Sequence, residues 1–497
     1  MNEKYLKHPE LISGPNPLLE ALAPFIPFND LPRALIRQPL ERIDWKLMAP
    51  GYRNAFLDLH EKHYWPTSQT IEVAESIQAV IRSGLVSRNP LSGAEQRRIN
   101  ALALTHDVEK IPLQSLRTPA GGGVISAMTG MGKSATLLRA LEAVAPEQVV
   151  IHSKSEQCGW SILTQLLYLV IDGPFNGTPG GLLSRITESM DIVLGTDYSD
   201  ECRKKRNLDA QLLFVTKLLS THRVGLLAID ENQLENFEQS IWRKSLVLFF
   251  LGLMNLGIPI LLLGNPLAFA SLKSFSQNVR RLSTIGHHEM TPAATAFEPW
   301  WARDFVPGMC RFALCEEIPS VGEIVDTTFD VAGGVPGIFA PLWIEAQRIS
   351  LRRGGGSAQL QLSDLVAARR SPRVVELLNI AQQASGASPV ERFVDIPKPA
   401  SPTRGAAFST GVARAPDVSG GSQDLRAHPS PISEIQKALE RRRKAGEYKA
   451  KHQSKRAEER ATGGVSRVEL QLEMFAGLEG TQEPLISASD RARPKKR

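Results

Sequence analysis

Cysteine is scarce in this sequence. The four cysteines among 497 residues are Cys158, Cys202, Cys310 and Cys315. So small a number of cysteines argues against a disulfide-stabilised secreted domain and favours buried thiols in a reducing compartment. Cys310 and Cys315 have no second pair of ligands at zinc spacing, so no zinc site is predicted from them.

A long uninterrupted apolar run is also missing. The first five residues show no apolar core of a signal peptide, and the most apolar segment, residues 245–264, is broken by Asn255, Gly257 and Pro259. A membrane-spanning helix needs about 20 consecutive apolar residues. The segment therefore predicts a buried helix followed by a buried strand, with no membrane partner and a cytoplasmic location.

Charge of one sign is not strongly in excess. The net charge of +6 and the isoelectric point near 9.1 favour, weakly, a polyanionic partner such as duplex DNA. At 497 residues the chain is longer than one hydrophobic core usually supports, so two or three domains are expected.

The composition changes along the chain and predicts four regions. Residues 1–104 form a proline-rich arm followed by helices, a region expected to dock a partner. Tyr52, Phe56, Tyr64 and Trp65 in it are predicted to be core residues, with a binding platform as the alternative. Residues 105–290 form an α/β core and residues 291–383 a helical lid. Residues 384–497 are rich in Ser, Pro, Gly, Ala, Lys and Arg, and this basic tail is predicted to be largely disordered.

Within residues 105–290, strand and helix patterns alternate. Strands are predicted at 123–127, 148–153, 225–230 and 258–264, and helices near 159–171 and 200–220. This alternation predicts a parallel sheet flanked by helices on both faces.

The segment 124–139 has the order strand, glycine-containing turn, helix, which is typical of a phosphate-binding loop. Lys133 would reach the β- and γ-phosphates and Ser134 would bind Mg²⁺. Ala127 stands where the pattern asks for its first glycine and is acceptable if its φ is negative. The alternative is a chance glycine turn before a helix. The predicted nucleotide-binding residues are Thr129, Gly130, Met131, Gly132, Lys133, Ser134 and Ala135.

About a hundred residues later, a buried apolar strand ends in two carboxylates. Asp230 would hold the Mg²⁺ shell and Glu231 would position or deprotonate the attacking water. Taken alone, this pattern is equally typical of a strand entering an acidic turn. Together with Lys133 and Ser134 it predicts an ATPase that uses ATP and Mg²⁺.

Two further sites are predicted to contribute to catalysis. Asn265 follows the next strand and would contact the γ-phosphate or water; the alternative is a turn-forming Asn-Pro pair. Arg280 and Arg281 would act on the nucleotide of a neighbouring subunit, where an arginine stabilises transition-state charge. A solvated arginine pair at a helix end is the alternative.

These elements, in this order, resemble an AAA+ ATPase of the initiator-like branch. The segment His222–Gln233 resembles the Walker B region of the TnsC family, the ATP-dependent regulators of Tns-type bacterial transposons. Further segments similar to that family are Leu194–Tyr198, Leu248–Asn265, the Arg280-Arg281 pair and Ala332–Ile338, so that the resemblance covers roughly residues 50 to 350. Departures are Ala127, Asn232 and Asn265, and Gly337 stands after Pro336 where an arginine often follows in such ATPases.

The resemblance implies a homo-oligomer whose ATP-bound subunits assemble as rings or filaments on duplex DNA. They would link a target-selecting protein or RNA-guided complex to the transposase, and hydrolysis would dismantle the assembly. Two other functions stay open: a nucleotide-gated scaffold with little hydrolysis, and an initiator-type helicase loader.

Basic residues supply candidates for the DNA contact. Arg203, Lys204, Lys205 and Arg206 are predicted to open a helix and face DNA phosphates, with a solvated basic turn as the alternative. The tail carries further basic clusters around an apolar island at residues 468–475, which is predicted to dock on a transposase subunit.

Overall fold

A computed structural model describes residues 14–106, 120–174, 177–232, 243–269, 284–354 and 357–384, with residues 8, 9, 11, 118 and 282. All of them lie in one compact unit spanning residues 1–404. The predictions for Arg280, Arg281 and the tail after Ala384, with its apolar island, lie outside the described residues. Within the described ranges, no helix combines the length and apolarity that crossing a bilayer requires.

The centre of the fold is a five-stranded parallel sheet with flanking helices, as the sequence predicts. Its spatial order is β4-β5-β6-β1-β7. Strand β1 pairs in parallel with β6 on one side and with β7 on the other. The strands are β1 (Gly122–Ala127), β2 (Val149–His152), β3 (Leu163–Leu166), β4 (Leu169–Asp172), β5 (Leu227–Asn232), β6 (Ile260–Gly264) and β7 (His287–Met290).

Helices surround this sheet and form most of the regions on either side of it in sequence. The α-helices before β5 are α1 (Pro17–Glu20), α2 (Leu31–Leu35), α3 (Pro50–Phe56), α4 (Ser68–Val86), α5 (Gly93–Leu104), α6 (Lys133–Val144), α7 (Pro179–Leu194), α8 (Tyr198–Arg203) and α9 (Leu208–Thr221). Those after it are α10 (Arg243–Asn255), α11 (Val306–Cys310), α12 (Val321–Ala332), α13 (Pro336–Gly354), α14 (Leu362–Ala368) and α15 (Val375–Ala384). A π-helix at Trp300–Phe305 precedes α11.

Both faces of the sheet are buried, which explains its apolar strands. Successive residues of β1 show the alternation: Val124 belongs to one apolar cluster and Ile125 to another. The predicted helix and strand within 245–264 are confirmed as α10 and β6, and all of β6 is buried.

The helix predicted near residues 159–171 is wrong. This segment forms β3 and β4, and Leu169 and Ile171 of β4 align with Leu227 and Ile229 of β5. A short apolar run is compatible with the periodicity of a helix and with that of a strand. Here the pairing of β4 with β5, some 58 residues away, makes it a strand. The predicted strand at 148–153 forms as β2 but pairs antiparallel with β3, outside the central sheet.

The proline-rich arm packs on the core. Leu18, Leu19, Leu31 and Leu35 are fully buried. The backbone N–H of Ala23 donates to the carbonyl of Val144 at 3.0 Å, at the end of α6. Most of the arm's apolar side chains therefore stabilise this protein's own fold, and partner docking by this region stays a prediction for its exposed face.

Candidate nucleotide-binding site

The predicted phosphate loop connects β1 to α6 and contains two glycines in the left-handed region. Gly130 has φ of +88° and Gly132, the N-cap of α6, has φ of +81°. Side chains are disfavoured at these angles, so glycine is required for the turn. Among described residues, Arg223 is the one non-glycine with positive φ. Ala127 thus has the negative φ that its place in the pattern requires.

Lys133 is the first residue of α6, and its side chain turns back over the loop. Its Nζ donates to the carbonyl oxygens of Ala127 at 2.9 Å and Met128 at 3.3 Å. Met131 is buried and anchors the loop, whereas Thr129 and Ser134 are exposed. The ammonium group and the N-terminus of α6 therefore lie together at one loop, where both favour an anion.

Asp230 lies near the carboxyl end of β5, with its side chain 7% exposed. The register between β5 and β6 shifts between Ile229 and Asn232, so Glu231 sits in a bulge, and its side chain lies outside the described part of the chain. Strand β6 separates β5 from β1. Two strand spacings place the β1 and β5 backbones about 10 Å apart at the same edge of the sheet.

Asn265 follows β6, between the other two strand ends. Its Oδ1 accepts a hydrogen bond from the backbone N–H of Leu267 at 3.1 Å. This contact begins the short 3₁₀ helix Pro266–Phe269, which is the turn that the Asn-Pro pair predicts. Contact of Asn265 with a phosphate or water stays a prediction.

A cavity of about 250 Å³ opens beside the loop, and the sequence interpretation missed it. Its walls come from the N-terminal region, the loop and the lid, and they include Tyr64, Trp65, Met131, Met290, Trp300 and Phe305. Trp300 and Phe305 are the two ends of the π-helix, a form that is frequent at functional sites. Flat apolar walls around a small volume suit a planar ring.

His63 adds a polar side chain to this cavity, and its hydrogen bond shows which ring nitrogen carries the proton. Its Nε2 lies 2.9 Å from the carbonyl oxygen of Gly308, and a carbonyl can only accept, so Nε2 carries the proton. Burial lowers the pKa of His63, which keeps the ring neutral and leaves Nδ1 as an acceptor. Nδ1 is buried and has no hydrogen-bond partner among the described residues.

Tyr64 joins the N-terminal region to the phosphate loop. Its hydroxyl donates to Thr136 Oγ1 at 3.2 Å, and Thr136 Oγ1 donates to the carbonyl of Gly132 at 2.8 Å. Tyr64 is held in turn by Arg37, since their backbones exchange two hydrogen bonds of 2.9 Å. The sequence shows Tyr64 as an ordinary core residue because the pairing with Arg37 is not visible locally.

The predicted basic segment does not open a helix. Arg203 ends α8, and Asn207 caps α9 by accepting from the N–H of Ala210, so the basic residues lie in the connection between the two helices. Arg203, Lys204 and Arg206 are exposed, and the Nζ of Lys205 lies 4.6 Å from the centre of the Phe214 ring.

Fold and site together define a P-loop core of the parallel α/β class. The loop and the Asp230 strand end at one edge of a parallel sheet, with β6 between them. The first turn of the lid helix α13 touches the loop directly, with the Gly337 N–H donating to Gly130 O.

No protein-family model matches the chain, and no curated protein matches it either. Solved structures give distant similarities. The Aeropyrum pernix Orc1 protein in complex with DNA is 15% identical over 59% of this chain and 67% of that one, with a TM-score of 0.36. Cdc6p from Pyrobaculum aerophilum is 12% identical over 54% of this chain and 64% of that one, with a TM-score of 0.33. A Walker-type ATPase from Pyrococcus abyssi is 15% identical over 57% and 71%, with a TM-score of 0.31. The chain thus spans about two thirds of the length of these proteins, and similarities this distant carry nothing about ligands or partners.

Proposed function

We propose that this protein is an ATP-dependent regulator of DNA transposition that binds and hydrolyses ATP and assembles on duplex DNA. The observation that carries the nucleotide part is the loop between β1 and α6. Its two left-handed glycines, the folded-back Lys133 and the start of α6 lie next to an apolar cavity, and this arrangement favours an anion. A triphosphate on the loop and a base in the cavity would use both halves of this site.

The proposed base is adenine. The cavity that His63 lines would take the base, and the buried Nδ1 of His63 would accept from a donor on that base once the cavity wall shifts to uncover it. The exocyclic amino group of adenine is a donor, whereas guanine carries a carbonyl acceptor at the corresponding position. Binding of ATP in preference to GTP is the expected outcome, and equal affinity would contradict this role of His63.

The residues present also fit a magnesium ion. Ser134 is exposed at the second position of α6, and Asp230 lies near the carboxyl end of β5. A hydroxyl and a carboxylate are oxygen ligands of the kind that Mg²⁺ prefers. When bound, the ion would neutralise charge on the phosphates, while Glu231 would orient the attacking water.

The proposal of a transposition regulator is supported by the TnsC resemblance of residues 222–233 and 332–338. Those segments include the Asp230 strand and the lid turn that contacts the loop. Duplex DNA is the proposed surface for assembly, and the transposase and a target-selecting protein or complex are the proposed partners.

Sedimentation of the full-length protein with ATP and a random-sequence DNA duplex tests this function. The wild type is expected to form large DNA-bound oligomers. Lys133→Ala removes the cation at the phosphates and should abolish assembly, whereas Glu231→Gln should trap it, since nucleotide binding survives while water activation fails. A wild type that stays monomeric with ATP and DNA would contradict the proposal.

The basic connection between α8 and α9 is the proposed DNA contact. A variant with Arg203, Lys204 and Arg206 changed to Ala should bind DNA more weakly and with a smaller salt dependence. Lys154 is exposed in the connection between β2 and β3, so Lys154→Ala is the control. If the two variants bound DNA with equal affinity and equal salt dependence, the proposed DNA contact at this connection would be contradicted.

A nucleotide-gated scaffold with slow turnover is the second candidate. The lid turn presents Gly337 rather than an arginine, and Arg348 is buried against Glu345 at 3.3 Å and Asp58 at 3.4 Å. Phosphate release with and without DNA separates the two functions: measurable DNA-stimulated turnover favours the ATPase, and stable binding with no turnover favours the scaffold.

A further inference from the structure

The lid helix α13 begins directly on the phosphate loop. The backbone N–H of Gly337, the second residue of the helix, donates to the carbonyl oxygen of Gly130 at 2.7 Å. The first N–H groups of a helix have no partner within the helix. Here the phosphate loop supplies that partner.

This contact excludes any side chain at position 337. A Cβ built on Gly337 would lie 2.7 Å from the Cα of Gly130 and 2.9 Å from its carbonyl oxygen. Both are backbone atoms of the loop, which cannot rotate aside as the end of a flexible side chain can. The approach is also tight at Gly130, where an added Cβ would lie 3.0 Å from Cγ1 of Val335 in the lid turn.

The carbonyl groups of both left-handed glycines of the loop are thus held by neighbours. Gly130 O accepts from the N–H of Gly337 in the lid. Gly132 O accepts from the Thr136 hydroxyl, which in turn accepts a hydrogen bond from the Tyr64 hydroxyl. Each carbonyl belongs to the same peptide plane as the N–H of the following residue. Fixing these two carbonyls therefore fixes the direction of the Met131 and Lys133 N–H groups. The Met131 N–H donates within the loop to the carbonyl of Met128 at 3.4 Å.

We propose that Gly337 is a positioning residue for nucleotide binding: its N–H holds the Gly130 peptide, and with it the turn closed by Met131 and Met128, so that the loop keeps the shape in which the start of α6 faces the phosphates. The lid contacts the loop through backbone, at the place where an arginine side chain would otherwise reach the nucleotide. This inference rests on the proposed nucleotide function. If Gly337 has this role, the position of the lid and the conformation of the loop are coupled.

Gly337→Ala and Gly322→Ala form a matched pair for the test. Gly322 is also the second residue of a lid helix, α12, and a Cβ added there meets nothing within 4 Å. Binding of ATP and ADP is measured by calorimetry with the full-length protein and Mg²⁺, together with the melting temperature in the absence of nucleotide. Gly337→Ala should weaken the binding of both nucleotides by about tenfold, which is about 1.4 kcal/mol, because the added Cβ pushes the lid away from the loop that it holds. Gly322→Ala should bind as the wild type does.

Melting temperatures of the two variants should agree within a few degrees, since a purely structural defect would lower stability rather than affinity alone. If Gly337→Ala bound both nucleotides with wild-type affinity, the inference would be overturned. A large loss of melting temperature in Gly337→Ala together with unchanged affinity would do the same.

Hydrogen exchange of the nucleotide-free wild type provides a measurement that needs no variant to fold. The Gly337 amide should exchange at least about tenfold more slowly than the Gly322 amide at the same helix position, because only the former has the loop as acceptor. Equal rates would overturn the inference. If the wild type bound no nucleotide while Gly337 remained protected, the proposed function would fail and the contact between lid and loop would stand.

Discussion

Glu95 holds a buried group of arginines, and its replacement by Gln should destabilise the fold strongly. The Glu95 carboxylate accepts from Arg98 at 2.6 and 2.7 Å and from Arg223 at 2.6 Å. The exposed fractions of these residues are only 4%, 3% and 6%. Arg88, fully buried nearby, has its pKa lowered to about 9, chiefly because burial disfavours the charged guanidinium. Three guanidinium groups thus share one carboxylate.

The expected loss of stability follows from the ratio of three guanidinium groups to one carboxylate. Glu95→Gln preserves shape, so packing is conserved, but the sole carboxylate of the group becomes neutral. Removing one partner of a buried ion pair costs about 3–5 kcal/mol, because the remaining charge is left without compensation. Against a total stability of about 5–15 kcal/mol, this is a large share. The group joins α5 to the turn before β5, so the loss should affect the whole unit.

Urea unfolding of the full-length protein measures the effect. The exposed pair Lys154–Glu156, with a separation of 2.9 Å and exposed fractions of 69% and 84%, provides the control. Glu156→Gln should change the unfolding free energy by less than about 1 kcal/mol. If Glu95→Gln also changed it by less than about 1 kcal/mol, the reasoning about buried charge in this group would be refuted.

Two further predictions concern Tyr64 and His222. Tyr64→Phe removes the hydroxyl that donates to Thr136, so ATP affinity should fall by a few fold, for a hydrogen bond of about 1 kcal/mol; an unchanged affinity in calorimetry would contradict the link to the loop. His222 accepts from the Tyr198 hydroxyl and donates to the Thr164 carbonyl, and burial lowers its pKa below 6.5. Its contribution to stability is therefore full above pH 6.5 and is lost as the pH falls from 6.5 through the lowered pKa, where the unfolded chain binds more protons. Melting curves from pH 7.5 to 5 should show this loss, and a smaller one in His222→Gln; identical slopes would contradict it.

The local structure that the sequence predicts well lies in contiguous segments. The turn from Gly130 to Lys133 and the strand leading to Asp230 form where the sequence predicts them, because each depends on a few neighbouring residues. Where a feature depends on distant pairing, the sequence misleads. Residues 163–172 form strands because β4 pairs with β5, a choice that an apolar run does not reveal.

The cavity was missed for the same reason. Tyr64 is placed by its pairing with Arg37, and Trp300 and Phe305 reach the cavity from a π-helix that follows β7. Each looks like an ordinary core aromatic in its own sequence context. The sequence does show that an arginine is missing after Pro336, but the backbone contact that replaces it appears only when lid and loop are seen together.

Binding of ATP to the phosphate loop is the central claim, and equilibrium titration of labelled ATP with Mg²⁺ against full-length wild type and Lys133→Ala tests it most directly. The account predicts saturable binding by the wild type and a loss of at least about a hundredfold in the variant, since it removes the ammonium group that lies across the loop carbonyls of Ala127 and Met128. No binding by the wild type, or equal binding by both proteins, would contradict it.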